Sequence, residues 1–141
     1  MKLEGLHHVA LQVRALQPMV AFYREVLGLP LIAEHLGQDG TVRSVWFGLP
    51  GAFLALETVT GAPAAPANFR NDVPGWFLVA FGISATDRER VRTELARAKV
   101  PVEHETQWTL YVRDPEGNRV ALSHHPRAEA EGRDVATREG N

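Results

Sequence analysis

Residues 6–30, LHHVALQVRALQPMVAFYREVLGLP, decide the fold. Leu6, His8, Ala10 and Gln12 fall on one side of an extended chain, because strand side chains alternate. His7, Val9, Leu11 and Val13 fall on the other. After a short polar break, Met19, Phe22, Tyr23 and Val26 recur at the spacing of a buried helical stripe. Pro18 sits in the first turn, where its missing N–H costs little, and Gly28 is placed for a C-terminal cap. The unit is a strand feeding an amphipathic helix.

Outward from this stretch, residues 31–37 read as a strand and Gln38, Asp39 and Gly40 as a hairpin turn. Residues 41–48 and 52–59 supply two more strands, giving the order β-α-β-β-β. Residues 60–75 are rich in proline, alanine and glycine and have no period. They read as a linker or lid, with Phe69 and Arg70 its only large side chains. The pattern restarts with a strand at 76–84. Thr86 and Glu89 have capping-box spacing ahead of a helix bearing Val91, Leu95 and Ala98 on one face. Strands at 100–105, 108–113 and 119–124 follow, with a turn at 114–118 before the last. From residue 126 to 141 almost nothing is apolar, as in a polar tail.

The two halves answer one another. HVALQV (8–13) is matched by LVAFGI (78–83), Leu29-Pro30-Leu31 by Val100-Pro101-Val102, and Leu54-Ala55-Leu56 by Val120-Ala121-Leu122. Four strands and one helix leave an open edge and a concave face, so two such units pair naturally. The expected fold class is α+β: two βαβββ modules, 1–59 and 76–125, pairing into an open, cupped eight-stranded sheet within one domain.

Composition narrows the function. A net charge of −2 with scattered arginines gives no basic surface for nucleic acid or anionic membrane. The absence of cysteine removes disulfides, thiolate metal sites and cysteine nucleophiles. With no long apolar run and no apolar signal core at the N-terminus, a cytoplasmic protein is expected.

HVALQV at 8–13, FYREVLG at 22–28 and DPEGN at 114–118, within this repeat, resemble the vicinal oxygen chelate superfamily over residues 4–125. That superfamily contains glyoxalase I, extradiol dioxygenases, fosfomycin-modifying enzymes and bleomycin-resistance proteins. Residues 79–87 are also similar to fosfomycin thiol transferases. The resemblance implies a metal site in the concave sheet, with ligands from the first strand of each half and from the last strands. Carried onto this chain, those positions are His8, Leu78, Ala55 and Ala121. One donor of four is present, so no standard metal site and no cofactor are expected. The resemblance also implies a homodimer.

Three functional readings stand open. In the first, the chain binds a small, partly aromatic or amphipathic molecule without metal, in a pocket including His8, Gln12, Trp46, Leu78, Trp108 and Ala121. In the second, a metal displaced onto His8, Glu57 and His125 serves a lyase, thiol transferase or ring-cleaving dioxygenase. In the third, His8 and Glu57 act as a metal-free acid–base pair. His7 is expected on the opposite face in a structural role, and His104, His124 and His125 at the surface.

Overall fold

The computed structural model describes residues 5–59 and 77–126. The linker with Phe69, Arg70 and Trp76, and the tail beyond Pro126, lie outside the described residues. The first module runs β1 (His8–Val13), α1 (Leu16–Ala21), β2 (Leu31–Leu36), β3 (Val42–Leu49) and β4 (Ala52–Thr58). The second runs β5 (Val79–Gly82), α2 (Arg88–Arg97), β6 (His104–Glu105), β7 (Thr109–Arg113) and β8 (Arg119–Ser123). This is the α+β duplication expected from the repeat.

The eight strands form two mixed sheets with the same order, β1-β4-β3-β2 and β5-β8-β7-β6. In each, the first and last strands of the module run parallel and the rest antiparallel. The repeat is exact in register: Ala10 pairs with Ala55, and Ala80 with Ala121. No ladder joins the sheets among the described residues, so β1 and β5 are their unpaired inner edges.

Alternation places the core. Val13, Val45, Phe47, Leu54 and Leu56 of the first sheet are buried, as are Leu110, Val112, Val120 and Leu122 of the second. Met19, Phe22, Tyr23 and Leu95 from the helical segments complete one continuous apolar cluster. Each such side chain stabilises the fold by roughly 1.5–3 kcal/mol when fully withdrawn from water.

The first helix departs from the expected single α-helix. After Ala21 it widens into a π turn at Phe22–Val26, where the Leu27 N–H donates to the Phe22 carbonyl at 3.0 Å. Gly28 then takes φ +71°, and the Leu29 N–H closes onto the Tyr23 carbonyl at 3.0 Å, as the glycine cap predicts. The hairpin glycine Gly40 also has positive φ, +77°.

The helix is held by the other module. Glu116 Oε1 accepts from the Arg14 and Ala15 N–H groups, each at 2.7 Å, where Ala15 offers no side-chain cap of its own. Tyr23 Oη donates to Asp114 Oδ2 at 2.9 Å across the buried boundary. Asp114 also accepts from the Glu116 N–H, the Asn118 N–H and Asn118 Nδ2. Burial pushes the Asp114 carboxyl above its ordinary range, an effect that the donors from Asn118, Tyr23 and Glu116 oppose. Burial, with Asp114 alongside, also drives the Tyr23 phenol far upward, so it stays protonated and donates.

Two sequence expectations are corrected here. Thr86 and Glu89 make no capping box: Thr86 Oγ1 shares a hydrogen bond with Ser84 Oγ at 3.0 Å. A 3₁₀ turn at Ala85–Asp87 precedes α2. Glu89 instead lies 3.5 Å from Arg92. The strand expected over 100–105 is confined to His104–Glu105, with the Glu103 N–H adding one bond to the Tyr111 carbonyl at 2.9 Å; the Val100 N–H is spent on the Leu95 carbonyl at the end of α2, and Pro101 has none to give.

Candidate functional site: a ring column and a seam cavity

The surface bearing His8, Ala10 and Gln12 is exposed, while Val9, Leu11 and Val13 face inward. Cross-strand register extends this face over Phe53, Ala55 and Glu57 on β4 and Ser44 and Trp46 on β3. Four rings from four strands then stack in a column. His8 lies 4.8 Å from Phe53 with planes 9° apart, Phe53 lies 4.5 Å from Trp46 at 22°, and Trp46 lies 4.4 Å from His35 at 55°. Offset and tilted ring pairs of this kind add to what the rings gain by burial.

A polar chain fixes the column. Trp46 Nε1 donates to Ser44 Oγ at 3.0 Å, and Ser44 donates to Glu57 Oε1 at 2.7 Å. Arg43 reaches Glu57 Oε2 at 3.1 Å. Glu57 is thus committed to a hydroxyl and a guanidinium. Ser44→Ala, at a fully buried position, strands the indole N–H. It is expected to cost about 1–2 kcal/mol and to weaken the near-ultraviolet circular dichroism of the indole, measured together on the same sample.

His7 was expected on the far side of the sheet. Its Nδ1 instead sits 2.9 Å from His8 Nδ1, and its ring packs edge-on against Phe53 at 5.5 Å. The strand begins at His8, so alternation does not yet govern residue 7.

At the seam between the sheets lies a cavity of about 290 Å³, walled by Leu6, Ala10, Phe77 and Leu78 with His8 and Arg119. His8 and Leu78, equivalent positions of the repeat, are therefore brought together. Trp46 stands in the column, and Gln12 is exposed on the same face, opposite Glu57 in register. Ala121 is buried on β8. Trp108 stands apart, edge-on to His124 and His125 at 5.4 and 5.7 Å. His124, expected at the surface, is half-buried beneath Trp108, whereas His104 and His125 are exposed. Arg119 was missed by sequence reading, although period 2 puts it on the face of Ala121 and Ser123.

A metal fits this arrangement poorly. His8 pairs with Phe53 in register and Gln12 with Glu57, so Glu57 sits four strand residues away, about 13 Å along the sheet. His125 lines a separate polar cleft beside α2 with Asp87 and Glu94. Among the described residues, no three His, Asp or Glu side chains converge as metal ligands do. No helix among them is long and apolar enough to cross a membrane.

Two βαβββ modules with parallel outer pairings, and a seam cavity where the first strands of the modules meet, define a class of paired-module proteins. The chain belongs to the Glyoxalase/Bleomycin resistance protein/Dioxygenase superfamily, whose family model matches residues 5–122. It is similar in structure to a glyoxalase/dioxygenase from Nostoc punctiforme, with TM-score 0.74 and 22% identity over 88% of this chain and 92% of that one. It is also similar to the fosfomycin resistance protein FosX from Listeria monocytogenes, with TM-score 0.69, 14% identity and coverage of 89% and 94%. Lactoylglutathione lyase from Agrobacterium tumefaciens gives TM-score 0.61, 25% identity and coverage of 87% and 95%.

Proposed function

We propose that this chain binds a small molecule in the concave face and seam cavity of the superfamily fold, without a divalent metal. The observation that carries the reading is the replacement of donor positions by Leu78, Ala55 and Ala121 around the surviving His8. Those residues turn a polar ligand set into apolar wall, and His8 is left sharing a hydrogen bond with His7 and stacking on Phe53. An apolar cavity with a few polar groups suits ligand binding better than metal-assisted hydrolysis or isomerisation. Commitment of Glu57 to Ser44 and Arg43 weighs against an acid–base pair with His8.

The lyase and fosfomycin-resistance likenesses describe those proteins, and at these identities they carry the fold. The exposed apolar side chains Leu6, Ile32, Leu36 and Phe77 support the further proposal of a homodimer. A cytoplasmic location belongs to the same proposal.

The test is thermal unfolding of untagged protein in chelator, then with Mn²⁺, Fe²⁺, Ni²⁺, Zn²⁺ and Mg²⁺ in turn, for wild type and His8→Ala. No metal is expected to raise the midpoint, while small apolar and aromatic probes raise it with or without chelator. A ligand at a hundred times its dissociation constant adds roughly 2.7 kcal/mol, so a real site is readily seen. A metal-induced rise that vanishes in His8→Ala would overturn the metal-free reading.

A further inference from the structure

We propose that His7 and His8 form a proton-transfer dyad for the seam cavity. In it His8 takes a proton from an acidic C–H of a small, single-ring substrate, and His7 is the positioning residue that holds the His8 ring. The step uses no metal. It rests on the small-molecule reading above and gives that site an activity.

The first observation is the pair itself. His7 Nδ1 and His8 Nδ1 are 2.9 Å apart, so one donates and the other accepts. With the shared proton on His8 Nδ1, His8 Nε2 keeps a bare lone pair and is a base. With the shared proton on His7, His8 Nε2 carries a hydrogen and is an acid. Among the described residues that nitrogen has no hydrogen-bond partner, and His8 is an exposed residue on the cavity wall. Glu57, the carboxylate of the same face, is bound to Ser44 and Arg43, so the partner of His8 is His7.

The second is the fate of the charge. Proton uptake at Nε2 makes His8 an imidazolium, whose Nδ1–H then donates to a neutral acceptor on His7. A charge-assisted bond of this kind is stronger than the neutral one it replaces. The His8 ring also lies over Phe53, 4.8 Å away with planes 9° apart, so the cation forms against an aromatic face. Phe53 takes the His7 ring edge-on at 5.5 Å, which holds both imidazoles.

The third is the cavity. About 290 Å³ suits a single-ring body, and Leu6, Ala10 and Leu78 wall it with apolar surface. No acidic side chain lines it among the described residues, so His8 meets no carboxylate competitor for the proton. Imidazole is a weak base, and the C–H must therefore be an activated one, flanked by electron-withdrawing groups. In the step the C–H bond breaks and an N–H bond forms at His8 Nε2. The electron pair moves into the substrate's own conjugated system, and the imidazolium returns the proton at a second carbon to give an isomer.

The test follows full-length, untagged protein in chelator with a nitro-substituted benzisoxazole. Removal of its ring C–H breaks the N–O bond and releases a coloured cyanophenolate, so proton abstraction is read directly. Wild type is expected to turn it over with saturation. His8→Ala lowers kcat about a hundredfold. His7→Ala lowers kcat about tenfold with KM unchanged, and His7→Asn, which keeps an acceptor beside His8, restores part of the loss. Leu78→Trp, which fills the cavity, removes saturation. Melting curves of the variants show whether each is folded, and wild type alone decides if one is not: a rate linear in substrate and equal to that of free imidazole at the same concentration overturns the activity. An unchanged kcat in His8→Ala overturns it as well, and an unchanged kcat in His7→Ala overturns the dyad. Saturable turnover in Leu78→Trp overturns the assignment to this cavity. A probe that raises the melting midpoint and is never turned over overturns the activity and leaves small-molecule binding intact. Silence here together with silence in the metal-free melting series overturns both.

Discussion

Replacing Asp114 by alanine is expected to lower the unfolding midpoint by about 10 °C. The side chain is nearly sealed, and its two oxygens accept from the Tyr23 hydroxyl, the Glu116 and Asn118 N–H groups and Asn118 Nδ2. Alanine strands the Tyr23 hydroxyl and loosens the turn that places Glu116. An unmet buried donor costs roughly 1–3 kcal/mol, and two or more such losses give about 3–4 kcal/mol in total. For a domain of this size each kcal/mol moves the midpoint by roughly 3 °C. Tyr23→Phe removes one donor and leaves Asp114 three, so about 1 kcal/mol is lost. Equal losses in the two variants would show that the turn does not depend on the carboxylate.

The same residue sets a pH dependence. Because the folded Asp114 carboxyl titrates above its unfolded value, its contribution to stability is fully present below that unfolded value. It fades as pH rises through the raised folded one. Measured against Asp114→Asn by denaturant unfolding, wild type therefore gains in relative stability on acidification through that window. A relative loss on acidification would mean that the four donors outweigh burial.

The second large effect is a gain. Leu78→His with Ala121→Glu is expected to install a metal site around His8, since His8 and Leu78 already share the seam cavity. Ala121 lies on β8, the strand that pairs with β5. Before metal is added the double variant should melt below wild type, because Ala121 is 2% exposed and a carboxylate there is a buried, unpaired charge. Mn²⁺ or Zn²⁺ supplies the missing partner, and at a hundred times its dissociation constant adds roughly 2.7 kcal/mol, several degrees of midpoint. Wild type should show neither the loss nor the recovery. A double variant that melts low and ignores every metal would mean that the three positions do not converge, and a central premise of the metal-free reading would fall.

What could be read from the sequence was local or periodic. Alternation in residues 8–13, the glycine cap at Gly28, the Asp39-Gly40 turn and the answering halves each follow from steric rules acting over a few residues. They reappear in the structure within a residue or two. What escaped depends on partners distant in the chain. The cap of the helix beginning at Leu16 is Glu116, a residue of the other module, and the capping box at Thr86 failed because its hydroxyl bonds to Ser84. The π turn at Phe22–Val26 has no local signal, since the same residues at α spacing also give an apolar stripe. The ring column was half visible: Trp46 and His8 could be placed on the concave side, but their contact through Phe53 is a matter of register. Arg119 falls by alternation on the face of Ala121, but its place at the seam is set by how the two modules meet.

The carboxylate of Glu116 closing the start of α1 has a consequence for how the molecule folds. Within this repeat, one unit's helix starts on a group supplied about a hundred positions later in the chain. Joining such distant points costs loop-closure entropy, so the first helix gains this cap only once the turn of the second module is in place. The two halves thus share a joint as well as a core: the first turn of one module's helix is completed by a carboxylate of the other.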